Sequence, residues 1–423
     1  MIVVGVQGVS DTSSYLRWIL KVSTVDGSTI WETTMPETEA NMGIKSGYES
    51  VKFTSDGGFI VGGFANFDED EFPNFKSGGQ VDRGNPIFQK FSKATADATT
   101  MPSPPTPVWT WSCGGGANNA QTTLPTASQC PVIGDPANGI EKQSGSANTM
   151  RIFTSGGVEQ VVSTFRPSSV VIINAATGAE MAYQSFIEMW PSRTLIDKFQ
   201  DIEVEFDSTG TTATSFVVVG LANVKDSTTL GCSSTSSGYC TAWSGLLLKV
   251  PYDLSKYTWR KDFTDFPGGI NEYAGTTPFG GAMVYTECWS VVKAPVRGSD
   301  QYIIACGQGI ENCLSTDVDA SLIDQCNGVN GADPDPRIDW RGVAIGFTPA
   351  GEMDWYRMAN LGLFPGDTHH GSSAFEWGSY GGDPTTMVFF VDETLGFSWA
   401  TMDLTTGGSV ASSGNSTPPN TGK

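Results

Sequence analysis

Histidine is nearly absent: the chain of 423 residues has two, His369 and His370, side by side in GDTHHGSS. Adjacent residues rarely bind one metal together, so a histidine-built zinc or copper centre lacks donors. Positive charge is scarce too. With 24 Lys and Arg against 45 Asp and Glu, the formal net charge is −21, which repels phosphate backbones and speaks against nucleic acid as a partner. An acidic excess of this kind reads first as a solvated surface. No apolar run approaches the roughly 20 residues that a membrane-spanning helix needs. No CxxC pair occurs among the 8 cysteines, which argues for disulfides over zinc. The opening Met1-Ile-Val-Val-Gly-Val has no basic start and too short an apolar core for a signal peptide, so the expectation is a removed signal or a piece of a longer chain.

What the chain does have is turns and short apolar runs. It is 39% hydrophobic, with 50 glycines and only 16% charged residues, the composition of a globular, turn-rich and helix-poor fold. The stretch Tyr48 to Trp111 holds one whole repeating unit. Its first half, GYESVKFTSDGGFIVGGFAN, reads as two strands joined at Asp56-Gly57-Gly58, because Asp-Gly supplies the positive φ of a two-residue hairpin. PIFQKFSKATAD and PVWTWSC supply two more strands, completing a four-stranded antiparallel meander. Such a unit cannot bury its faces alone and needs copies of itself.

The copies follow along the chain. Leu20-Lys21-Val22, Asp26-Gly27 and Trp31 precede the complete unit, and Leu248-Lys249-Val250 with Trp259 repeats that pattern later. Weaker copies run through TMRIFTSGGVEQVVSTF, CWSVVKAPVRGSDQYIIACGQG and SAFEWGSYGGDPTTMVFFVDE. The first unit begins at its second strand, so its inner strand is expected from upstream residues, from the C-terminus or from another subunit. One ring-shaped domain over residues 1–409 is expected. After about Gly408, ASSGNSTPPNTGK has too little apolar area to fold and reads as a glycosylatable linker or tail over 410–423.

The long insertions fall between strands two and three and between units, at Phe67 to Asn85, Ser112 to Ala147, Val224 to Ala242, Thr264 to Thr286, Ile310 to Asp339 and Leu361 to Ser373. The other links are tight, except Ala94 to Pro107. One side of the repeat is thus elaborated, and function is expected there, since a rigid scaffold leaves loops free to vary. All the cysteines lie on or beside that side. Local pairing joins Cys113 with Cys130, Cys232 with Cys240, Cys313 with Cys326, and Cys288 with Cys306 across neighbouring strands, which places the protein outside the reducing cytosol. Asn415-Ser416-Thr417 is the only N-glycosylation sequon. Asp317, Asp319, Asp333 and Asp335, with Asp68 to Glu71, offer hard oxygen ligands for calcium, without EF-hand spacing; solvated acidic loops are the competing reading. Trp243, Trp289 and Trp377 are candidates for sugar stacking, whereas Trp31, Trp259 and Trp355 recur at one position and read as packing residues.

DGGFIVGGF, the LxKVxxxDGxxxW pattern and the Gly-Gly after an apolar second strand resemble extracellular β-propeller repeats, and more loosely kelch blades. The resemblance covers Ile2 to about Ser409. It implies an all-β fold, a β-propeller of about six, or seven, four-stranded antiparallel blades, and it is silent on activity because propellers host many. Enzymatic relatives fit poorly. Quinoprotein dehydrogenases use adjacent cysteines, which are missing here; copper radical oxidases need separated histidines; the sialidase box has other spacing than STVDGSTIW. No carboxylate pair stands out for hydrolysis.

The sequence therefore reads as a secreted, disulfide-stapled structural or interaction glycoprotein at the cell surface, not an enzyme. A subunit of an extracellular matrix or of a filament such as flagellar hairs or fibrils is the expected role. Its partners are then copies of itself or other extracellular glycoproteins, joined through loops or strand exchange. A lectin-like propeller that binds glycans and a propeller hydrolase or oxidoreductase are the alternatives. No cofactor is implied beyond calcium.

Overall fold

The computed structural model describes residues 1–8, 15–35, 44–68, 85–101, 103–112, 149–165, 168–186, 198–224, 242–263, 285–309, 341–358, 375–376, 386–393, 396–403 and 410–416. Among them all regular structure is β except one helix of 5 residues. Strands β1 (Ile2–Gly8), β2 (Tyr15–Val22) and β3 (Thr29–Thr34) form a three-stranded antiparallel group. A single parallel bridge, Tyr15 with Lys45, joins it to the four-stranded meander β4 (Ile44–Phe53), β5 (Phe59–Asp68), β6 (Asn85–Phe91) and β7 (Trp109–Ser112). Helix α1 (Lys93–Asp97), N-capped by Ser92, fills part of the link before β7.

Four more four-stranded sheets follow in chain order. They are β8 (Thr149–Ser155) to β11 (Glu180–Ser185) through β9 (Val158–Phe165) and β10 (Ser169–Asn174); then β12 (Lys198–Phe206), β13 (Ala213–Val224), β14 (Ala242–Pro251) and β15 (Trp259–Phe263). Next come β16 (Tyr285–Val296), β17 (Ser299–Gly309), β18 (Arg341–Phe347) and β19 (Met353–Met358). The last sheet holds β20 (Phe375–Glu376), β21 (Thr386–Glu393), β22 (Gly396–Asp403) and β23 (Val410–Ser416). In each, sequence neighbours are sheet neighbours, so the chain is all-β and repeats the blade unit of a β-propeller.

The polar end of the chain departs from the tail expected after about Ser409. β23 pairs with β22 from Val410 opposite Met402 to Ser416 opposite Phe397. An outermost strand is held by main-chain hydrogen bonds to a single neighbour and needs no apolar side chains of its own. Composition therefore underestimates it.

The chain divides into two compact units, one of Met1–Ser192, Lys198–Phe216 and Val250–Lys256, the other of Arg193–Asp197, Val217–Lys249 and Tyr257–Lys423. In the first, the middle strands are buried on both faces: Phe59, Ile60 and Val61 are all fully buried. Alternation along the strand sends Phe59 and Val61 into a core with Ile2, Ile19 and Trp31, and Ile60 into another with Met150, Val161 and Val171. Each core thus lies between successive sheets, which explains why these strands read as continuous apolar runs. The fourth strands are half exposed, as β3 and β11 show. The second unit repeats the scheme, with Leu247 of β14 packed against Val291, Ile304 and Ile345.

Lysine and tryptophan mark a register shared by several sheets. Lys21 faces Trp31, Lys90 faces Trp109 and Lys249 faces Trp259 across their strand pairs. The indoles then reach the link between the third and fourth strands of the following sheet. Trp31 donates Nε1–H to the Ala98 carbonyl at 2.9 Å, and Trp109 to that of Ala175 at 3.1 Å. The Trp109 ring also lies over Gly178, whose φ of 73° and lack of a side chain let it approach. In the second unit Trp259 covers Gly351 in the same way. Trp355 differs: it lies across Gly346 of its own sheet and donates to Gln301 Oε1 at 2.6 Å.

Candidate functional site

The connections sort by end. Within a meander, the links between strands one and two and between three and four lie at one end of the sheet, and all other links at the opposite end. Most of the first kind are tight turns, the link before β7 with its helix α1 being the long exception, and five of them are built on a side chain that caps its own backbone. Asp26, Asp56, Asn174, Asp207 and Asp253 accept the amide two residues on, at 2.9 to 3.2 Å. Glycines at positive φ, among them Gly27, Gly57, Gly178, Gly210 and Gly351, complete them. These hydrogen bonds favour the charged carboxylate. Asp26 is held at about 2 by the hydroxyls of Ser23 and Ser28, and Asp56 at about 2 by Lys90 and then Thr54.

The opposite end carries the long connections. Its most defined feature in the second unit is the Cys288–Cys306 disulfide, which joins directly opposed residues of β16 and β17. Both cysteines are fully buried, in the core that holds Val219 and Leu247. A bulge between Cys288 and Ser290 leaves Trp289 half-buried beside the bond.

In the first unit a polar cluster lies between β8 and β12, the first strands of successive sheets. Arg151 donates from Nη2 to Asp201 Oδ2 at 2.9 Å and from Nη1 to Thr149 Oγ1 at 3.1 Å, and its Nε lies 3.6 Å from Glu203 Oε2. The Thr149 hydroxyl donates in turn to Asp201 Oδ1 at 2.9 Å. Asp201 is buried, while the Arg151 and Glu203 side chains keep 22% of their surface. Burial works against the charge of Arg151, but the two carboxylates more than compensate and raise its pKa. Burial also pushes the Glu203 carboxyl above its usual range, with the Arg151 charge opposing. The cluster carries two carboxylates for one cation and ties two strands that are far apart in sequence. Sequence reading missed it, because neither residue belongs to a motif.

A second polar group is wholly buried. Arg17 donates from Nη1 to Gln89 Oε1 at 3.1 Å, the Tyr48 hydroxyl donates to the same oxygen, and the guanidinium lies 5.7 Å from the Tyr48 ring centroid. It links β2, β4 and β6 as a structural network.

Of the residues singled out from sequence, Cys113, Cys130, Cys232, Cys240, Cys313 and Cys326 lie outside the described residues. So do the calcium candidates Asp317, Asp319, Asp333 and Asp335, the His369-His370 pair and Trp377. Among the described residues no three His, Cys, Asp or Glu side chains gather as a metal-ligand set. Trp243 lies in β14, and Asn415 in β23 opposite Ser398. No described helix is long and apolar enough to cross a membrane.

No protein-family model matches the chain, and no curated protein matches it. Solved structures do resemble it. The Dos1 propeller aligns over 88% of this chain and 62% of its own at 10% identity, TM-score 0.38. The quinohemoprotein alcohol dehydrogenase from Comamonas testosteroni aligns over 88% of this chain and 44% of its own at 13% identity, TM-score 0.41. The Nup133 β-propeller domain from Vanderwaltozyma polyspora aligns over 95% of this chain and 80% of its own at 8% identity, TM-score 0.39. The chain thus spans less than two thirds of the Dos1 propeller and less than half of the dehydrogenase. At these values the likenesses carry no function across, and the fold class rests on the sheets themselves.

Proposed function

We propose that this protein is a secreted structural or interaction protein, a glycoprotein subunit that assembles with copies of itself or with other extracellular glycoproteins. The observation that carries the reading is the Cys288–Cys306 bond, formed between opposed core residues. Disulfides of this kind persist in oxidising compartments and are rare where thiols are kept reduced. The asymmetry of the repeat agrees with it. Among the described residues most links at one end of the sheets are short turns, five of them capped by their own Asp or Asn, and the longest connections of the chain fall at the other end, as expected of a scaffold that presents loops.

An extracellular matrix or a surface filament is the setting that suits such a subunit, and the sequon at Asn415 supplies an attachment point for glycan. Electron microscopy of native material, with mass spectrometry of the same sample, tests this. Regular filaments or sheets whose subunits carry glycan mass and no free thiols are expected. Dispersed single particles with reduced cysteines and no glycan would sink the proposal.

A further inference from the structure

Strand β1 is the one long sheet edge among the described residues that carries nothing to protect it. Its residues Ile2–Gly8 read IVVGVQG, with no charged side chain, no proline and no bulge in the pairing with β2. Every other edge strand among the described residues has a charge, a bulge or a length of four residues or fewer. An exposed edge without such devices is a template for pairing with another strand, which is why folded proteins blunt their edges.

This edge is also open. Met1 and Val22 exchange both main-chain hydrogen bonds, at 2.9 Å each, so Val3, Gly5 and Gln7 continue that ladder and the main chains of Ile2, Val4 and Val6 point away from β2. No strand among the described residues pairs with that side. The register of Lys21 with Trp31, shared with Lys90 and Trp109 of β6 and β7, makes β2 and β3 the third and fourth strands of their sheet and β1 the second. Second strands elsewhere are buried, as Phe59 to Val61 of β5 and Val161 to Phe165 of β9 are, each with a first strand beside it. β1 instead leaves Val3 and Val4 half-buried and Val6 49% exposed. The place of a first strand is vacant.

The surroundings say what fits there. Ile2 and Val4 face the core shared with Tyr48 of β4 and with Phe59 and Val61 of β5, and Val6 packs on Gly47 of β4. A strand added to β1 would turn every second side chain to that core, so it needs apolar residues at alternate positions. With β4 close against β1 at Gly47, one extended segment, about 4.8 Å wide, meets less hindrance than the whole sheet of a folded second copy. Residues 417–423 of this chain are ill-suited, because Pro418 and Pro419 offer no main-chain donor to a ladder.

We infer that β1 is a docking edge for a strand from a separate protein chain, an extended, proline-free segment with apolar side chains at alternate positions, which adds antiparallel to β1 as the first strand of its sheet. The inference deepens the assembly reading above and rests on it, naming strand addition as the joint.

The test is fluorescence anisotropy on the full chain with disulfides intact. The probe is a labelled peptide of alternating threonine and valine flanked by lysines; its control has proline in place of the central valine. Val6→Pro removes an outward-facing donor and none that bonds β2, and Val6→Lys blunts the edge by charge. Val25→Lys places the same charge at a valine that is 94% exposed in the β2–β3 turn. The wild-type chain and Val25→Lys are expected to bind the alternating peptide alike, both Val6 variants at least about tenfold more weakly, and none the proline peptide. Amide hydrogen exchange at Val4 and Val6 is expected to slow when the peptide binds. Equal binding by wild type and both Val6 variants, equal binding of the two peptides, or no binding at all would overturn the docking edge and leave the assembly reading to microscopy of native material. Slow exchange at Val4 and Val6 before any peptide is added would overturn a separate chain in favour of this chain's own residues. Reversible dimerisation that Val6→Lys abolishes would overturn it in favour of a second copy.

Discussion

Gly178→Ala is the sharpest test of how successive sheets are held together. The residue sits at a φ of 73°, where an alanine costs about 1 kcal/mol from backbone strain alone. A Cβ there would lie 2.7 Å from Trp109 Cδ2 and 2.8 Å from Cγ, well inside contact distance. The indole cannot swing away freely, because its Nε1–H is bonded to the Ala175 carbonyl at 3.1 Å. Overpacking against a fixed ring adds about 2 kcal/mol, for a total of about 3 kcal/mol. Gly210 provides the control. Its φ is 71° but nothing lies within 4 Å of its virtual Cβ, so Gly210→Ala is expected to cost only the strain of about 1 kcal/mol. Gly351, with Trp259 Cε3 at 3.1 Å, belongs between them. Equilibrium urea unfolding under non-reducing conditions reads the order directly. In a Trp109→Leu background the added cost of Gly178→Ala is expected to fall to that of Gly210→Ala, a coupling of about 2 kcal/mol. Equal costs at Gly178 and Gly210 in the native background would refute the docking of Trp109 on the next sheet's turn.

Three further outcomes are expected. Replacing Cys288 and Cys306 together by alanine frees a link spanning 18 residues, and the loop-closure relation gives a loss of about 3 kcal/mol; an unchanged urea midpoint with and without dithiothreitol would rule this out. Asp56 titrates at about 2 instead of 3.8, so the stability it contributes is present above pH 3.8 and is lost as pH falls towards 2. Because its side chain is 58% exposed although that of Lys90 is only 4% exposed, Asp56→Asn is expected to cost about 1 kcal/mol at neutral pH and progressively less as pH falls from 3.8 through about 2, read from acid-dependent urea midpoints. Glu203 has the opposite sign: burial raises its folded pKa above the ordinary glutamate value of 4.5, so its contribution is complete below that value and is lost as pH rises through the raised pKa. Glu203→Gln should remove that loss, and carboxyl carbon NMR showing Glu203 titrating at or below 4.5 would contradict it.

Much of the architecture is legible in the chain because it is local. Asp56-Gly57-Gly58 and Asp26-Gly27 form turns through their own side chains and through the positive φ of glycine, whatever surrounds them. The apolar runs around Ile60, Val162 and Leu247 read as strands because they are short and bounded by turn residues, and a strand buried on both faces takes so unbroken a pattern. The Lys-and-Trp register could be found as a repeat, because equivalent strands pair with equivalent offsets. Trp109 was not picked out beside Trp31, Trp259 and Trp355, although it pairs with Lys90 in the same register.

What the sequence by itself determined was the repeating meander, its turns and the sorting of short from long connections, because the turns are set by their own residues and the strands by their own apolar pattern. Only the tertiary structure decided which sheet each indole docks on, since Trp109 and Ala175 are 66 residues apart and nothing in either segment names the other. The same holds for Arg151 with Asp201, brought together across 50 residues by the stacking of β8 on β12. It holds again for β23, whose polar residues form a strand because β22 offers an open row of main-chain donors and acceptors. Local hydrogen bonds and backbone preferences are written into the residues that make them, whereas partners across sheets exist only once the sheets have stacked.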